Sequence, residues 1–121
     1  MKVLGTVFAV LVMAAPQATP ADRPPIGDGT YTFTHKDAEF ENMVIGPVTV
    51  KIKGNHITVI SSNASDVFGK GIVDEGTLMW HASSKEWIIG QRRADRFASE
   101  VGSCSGGPAV VDLRKRIYWS C

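Results

Sequence analysis

The sequence predicts a mainly β domain, a small single-domain antiparallel barrel or sandwich of six to eight strands with one short helix and one disulfide. Three observations predict it. Short runs rich in Val, Ile, Thr and aromatic residues recur between Gly, Asn, Asp and Ser breaks. One hairpin declares its own register, and the only two cysteines sit in the last quarter of a 121-residue chain. Spacing of that kind belongs to small sandwiches and closed barrels.

The chain begins with what reads as an export signal. Met1-Lys2 gives a positive start, Val3–Ala15 an uncharged apolar run, and Pro16 with the small residues after it a break. That run falls short of the roughly 20 residues a membrane span requires. Residues 1–21 are therefore assigned to a secretory signal, 22–29 to a Pro/Gly-containing leader and 30–121 to one β-rich domain. Cleavage after Ala21 leaves about 100 residues, one domain's worth of chain. It removes one basic residue from 13, so basic and acidic residues balance at 12 each. A neutral exported domain has no electrostatic footprint for nucleic acid and no means of stable membrane insertion once the signal is gone. The location implied is periplasmic or extracellular. In that oxidising setting Cys104 and Cys121 are expected to pair.

Along the mature chain, Tyr31–Thr34 favours a strand, and polar His35–Asn42 reads as irregular. Val48–Ser61 is a hairpin turning at Gly54-Asn55, because Gly tolerates the positive φ such turns demand. That turn pairs Ile52 with Ile57 and Val50 with Val59 on one face, and leaves Lys51, Lys53, His56 and Thr58 on the other. Asn63–Lys70 reads as a loop, within which Asn63-Ala64-Ser65 matches a glycosylation acceptor. Strands follow at Gly71–Asp74, Thr77–His81 and Glu86–Gly90. In the second, Leu78 and Trp80 point one way and Met79 the other. Ala94, Phe97, Ala98 and Val101 then fall at helical spacing, which predicts a helix over about 94–101 ending at Gly102. A final hairpin, Ala109–Leu113 with Ile117–Cys121, is expected to pair Leu113 with Ile117. That register turns Trp119 inwards and Tyr118 outwards.

Chemistry-bearing motifs are sparse. His35, His56 and His81 lack metal-ligand spacing, and no cofactor motif is present, so no metal or cofactor is expected. Asp74 and Glu75 are adjacent and point to opposite faces of a strand. Arg92, Arg93 and Arg96 form a local basic cluster suited to a carboxylate or an acidic partner surface. Trp87, if exposed, would anchor a partner beside them. Gly102-Ser103-Cys104-Ser105-Gly106-Gly107-Pro108 resembles the segment around the nucleophilic serine of chymotrypsin-like proteases. On that resemblance Ser105 is the nucleophile, and Cys104 stands where the family has Asp. The likeness spans about seven residues, and that family's two barrels need about twice this chain.

Three functions follow. The foremost is a non-catalytic module that docks on another protein, as an inhibitor or immunity-type factor does, through Arg92, Arg93, Arg96, Trp87, Ser103 and Ser105. The second is a barrel holding a small apolar ligand. The third is a small hydrolase using Ser105.

Overall fold

The computed structural model describes Gly5, residues 23–61 and residues 71–121. Apart from Gly5, residues 1–21, where the sequence suggests a signal, lie outside the described residues, as does 63–70, where it suggests a loop and the Asn63-Ala64-Ser65 acceptor. Seven strands close into a barrel in sequence order: β1 (Gly29–Asp37), β2 (Val44–Lys53), β3 (His56–Ser61), β4 (Gly71–His81), β5 (Glu86–Gly90), β6 (Ala109–Asp112) and β7 (Ile117–Ser120). Of the two architectures the sequence allowed, it is the barrel. Neighbouring strands run antiparallel except at the seam, where β7 pairs with β1 in parallel.

The core follows from alternation. Val50, Ile52, Ile57 and Val59 lie within 4% of full burial, joined by Phe33, Leu78, Ile89, Val111 and Leu113. Each such side chain withdraws about 1.5–3 kcal/mol of apolar surface from water. The β2–β3 register is the one the turn dictates, Ile52 opposite Ile57 and Val50 opposite Val59, with Gly54 at φ 60°.

Four expectations are corrected. The segment after Thr34 is not irregular: β1 continues to Asp37, and His35 is buried inside the barrel. Gly71–Asp74 and Thr77–His81 are one strand, interrupted only by a bulge at Val73, which lets Val73 and Asp74 both turn towards the interior. In place of the helix over 94–101 there is a 3₁₀ turn at Arg93–Phe97, and a second such turn follows at Ser103–Ser105. Ala98 leaves the first in an extended conformation, and its carbonyl accepts a hydrogen bond from the His81 imidazole at 2.7 Å. So short a helical pattern needs a buried face to persist. Phe97, on the supposed inner stripe, is 84% exposed.

The last hairpin is shifted by one residue. Asp112 pairs with Ile117 and Val111 with Tyr118. The Asp112 carboxylate caps the turn by accepting from the amides of Arg114 and Lys115, and Arg116 closes it at φ 57°. Tyr118 thereby enters the core, while Trp119 faces outwards beneath the Lys36 ammonium.

Residues 91–108 fold back over the outer face of β4 and β5. Met79 and Ile88 point away from the barrel core, yet both are buried. Gly90 makes room for this packing, since a Cβ there would meet Met79 Sδ at 2.5 Å. Gly76 is equally constrained: its Cβ would stand 2.5 Å from the Gly90 carbonyl oxygen.

The segment ends at the Cys104–Cys121 disulfide, with Cα atoms 5.1 Å apart and the cysteines 17 positions apart in sequence. Closing that loop is worth about 3 kcal/mol on the chain-entropy model. Replacing Cys121 by Ser is expected to lower Tm by on the order of 10–20 °C in a thermal melt without reductant. Gly76→Ala is expected to cost about 1–3 kcal/mol in urea denaturation, because the atom it meets belongs to backbone.

Candidate binding sites

Two surfaces and one internal cluster carry the functional side chains. The first surface is the loop leaving β5. Asp95 organises it: its carboxylate accepts from the Gln91 amide at 2.7 Å and the Arg92 amide at 3.2 Å. The Gln91 side chain donates to the Glu75 carbonyl, and His81 holds Ala98. On this frame Arg92, Arg93, Arg96 and Phe97 are all exposed, on and beside one 3₁₀ turn. Arg92 Nε comes no nearer than 3.8 Å to Asp95, with its side chain 82% exposed.

Trp87 does not belong to this surface. It is 9% exposed and packs in the barrel core against Trp80, because β5 alternates and its odd-numbered residues Trp87 and Ile89 point inwards. The aromatic that accompanies the arginines is Phe97. A surface aromatic was hidden in the sequence by its fit to a helical stripe.

Ser103 and Ser105 lie on the turn carrying Cys104. Ser103 Oγ accepts from the Cys121 amide at 3.1 Å, so this hydroxyl ties down the C-terminal end. Ser105 is exposed, and its hydroxyl leans on the Val101 carbonyl at 3.5 Å. The histidines are engaged elsewhere: His35 with Ser120, His56 with Glu75, His81 with Ser84 and Ala98. None of these hydrogen bonds joins a histidine to Ser105.

The second surface is the end of the barrel where the β4–β5 and β6–β7 turns meet the leader. A half-open cavity of about 860 Å³ lies there. Trp80, Trp87, Val111 and Leu113 form its apolar wall, Pro24 and Pro25 its opposite side, and Arg23, Lys85, Glu86, Asp112 and Arg114 its charged rim. Ile26 of the leader packs against the core, which holds this side in place.

The internal cluster occupies the other end of the barrel. His35 Nε2 and Ser120 Oγ share a hydrogen bond, and the His35 ring lies 4.9 Å from that of Tyr118. The Tyr118 hydroxyl donates to Asp74 at 3.0 Å. Burial pushes both the Asp74 carboxyl and the Tyr118 phenol above their ordinary ranges. On the outer face Glu75 accepts from His56 at 3.1 Å and Thr58 at 2.9 Å, and these bonds hold its carboxyl below its usual value. Asp74 and Glu75 thus face opposite ways, as adjacent strand residues should, and are no acid–base pair.

Among the described residues no group of three or more His, Cys, Asp or Glu is placed to hold a metal ion, and no helix is long and apolar enough to cross a membrane. No family model, curated protein or solved structure matches this chain. The functional reading therefore rests on these surfaces.

The two carboxylates act on stability with opposite signs. Asp74 ionises near 3.8 in the unfolded chain but holds its proton to higher pH when folded. Above that value the native state binds more protons, so stability falls as pH rises through the window. Glu75, depressed from 4.5, contributes stability that is present above that value and lost as pH falls through its folded pKa. Urea midpoints from about pH 3 to about pH 7 are expected to show Asp74→Asn removing the decline on the rising side. Glu75→Gln is expected to remove the loss on the acid side.

Proposed function

We propose that this protein is an exported, non-catalytic binding module that docks on another protein through the loop after β5. The observation that carries the reading is Phe97, a large aromatic 84% exposed on the same short turn as three exposed arginines. Aromatic and Arg side chains are the types that dominate protein interfaces. The loop is held by Asp95, Gln91 and His81 in one arrangement before any partner arrives, which reduces the ordering cost of association. The partner this chemistry fits is a protein presenting Asp and Glu carboxylates around an apolar depression. The inhibitor or immunity-type role belongs to this reading as its most specific form.

Export is supported by the apolar N-terminal run of the sequence and by the pairing of both cysteines, the chemistry of an oxidising periplasmic or extracellular space. The hydrolase reading is the weaker one, because the hydrogen bonds of the three histidines run to Ser120, Glu75, Ser84 and Ala98 and that of Ser105 to the Val101 carbonyl.

The test is affinity capture with the oxidised exported protein as bait against envelope and secreted extracts. Wild type is run in parallel with Phe97→Ala and with Arg93→Glu/Arg96→Glu. The expected outcome is a saturable acidic protein partner whose Kd weakens about 10-fold or more in each variant while the thermal melt is unchanged. A blank in both extracts, or a partner retained equally by all three proteins, overturns the proposal.

A further inference from the structure

We propose that the cavity at the β4–β5 and β6–β7 end of the barrel is a second, separate site, and that it binds a small ring-shaped carboxylate: a flat apolar body bearing one anionic group. The barrel interior cannot serve, because its own core fills it: Phe33, Ile57, Leu78 and Ile89 are each no more than 1% exposed. The open space lies at the mouth, and its volume of about 860 Å³ falls within the range of about 300–1,000 Å³ usual for small-molecule sites.

The wall selects a flat ring. Trp80 and Trp87 are direct neighbours across β4 and β5, their rings edge-to-face with centroids 5.6 Å apart. Trp87 is buried, while Trp80 is only partly buried and lines the cavity. An aromatic face held by a second indole and left open offers a third ring the geometry that aromatic pairs prefer.

The rim selects the charge. Arg23, Lys85 and Arg114 border the cavity against two acids, Glu86 and Asp112. Asp112 already accepts from the Arg114 and Lys115 amides to cap its turn, so its charge is partly committed. Among the described residues none of the three cations enters an ion pair. A carboxylate at the rim gains charge-assisted hydrogen bonds there while the ring rests on Trp80. The two sites use different residues, so either proposal can fail without the other.

Isothermal titration calorimetry on the exported protein, with 2-naphthoate and the uncharged 2-naphthalenemethanol as probes, tests the inference. The expected result is saturable one-to-one naphthoate binding. The alcohol should bind at least tenfold more weakly, and Lys85→Glu/Arg114→Glu should lose at least tenfold in naphthoate affinity. Those two side chains are exposed turn residues, so their reversal leaves the core intact. Trp80→Ala should abolish binding, and Phe97→Ala should leave it unchanged. Absence of saturable naphthoate binding overturns the site. Equal affinity for the alcohol, or naphthoate affinity indifferent to the double charge reversal, overturns the assigned ligand class. Loss of binding in Phe97→Ala overturns the separateness of the two sites.

Discussion

The barrel depends on a strand of four residues. β7 is laced on one side to β6 by a hairpin and on the other to β1 by the single parallel pairing in the fold. Without that seam β1 and β7 would be free sheet edges with unpaired backbone groups. The seam lies at the C-terminal end of the chain, where strands ordinarily fray. Beyond the β1–β7 ladder itself, the Thr34 amide donates to Arg116 O, the Ala38 amide donates to Ser120 O, and Cys121 is joined covalently to Cys104. Inside, Tyr118 and Ser120 reach Asp74 and His35, so polar cross-links within the barrel reinforce the same strand. Buried polar groups are tolerated there because they find partners, and those partners fix β7 in one register.

The second consequence of the disulfide is the shape of the outer layer. Residues 91–108 are anchored at one end by Gln91 on β4 and at the other by Cys104 on the C-terminal residue. Between these points they cover Met79 and Ile88, which makes one side of the barrel two layers thick. The cover is thin and irregular, so its own side chains cannot all turn inwards. Phe97 stands exposed because the space beneath the loop is already filled by residues of β4 and β5.

How much was legible in the sequence depends on where each signal resides. The β2–β3 hairpin carries its own instructions, with Gly54 at the positive-φ position and apolar residues matched across the turn. The β6–β7 hairpin is built on the same logic but with Arg116 in the left-handed position, a residue that announces no turn. Lys85 plays that part in the β4–β5 turn. With the marker absent, the register of the last hairpin slipped by one residue, and a slip of one exchanges inside for outside. Tyr118 and Trp119 were therefore assigned each other's faces. The bulge at Val73 split β4 in the reading for a related reason: local alternation fails where two successive residues turn inwards. The parallel seam was beyond reach altogether, since β1 and β7 meet through closure of the whole sheet. Of the proposed docking residues, the arginines were visible as a charge cluster. The aromatic among them was misassigned, because helical spacing at Ala94, Phe97, Ala98 and Val101 predicts a buried stripe only when a helix forms.

The end of β4 ties the two surfaces to one element. Trp80 and His81 are consecutive, so pleating sends them to opposite faces of the sheet. Trp80 lines the cavity, while His81 reaches outwards to the Ala98 carbonyl and so holds the loop that presents Phe97. Because that carbonyl can only accept, the Nε2 of His81 carries the proton. Its Nδ1 is then left to accept from the Ser84 hydroxyl and the Ser84 amide in the turn bordering the cavity. One imidazole therefore clamps the β4–β5 turn to the loop after β5. The rigidity of the Arg92–Phe97 surface and the placement of Lys85 at the cavity rim have a common physical origin in that clamp. A small barrel can in this way keep two surfaces ordered, with no long helix among the described residues, by setting both on the end of a single strand.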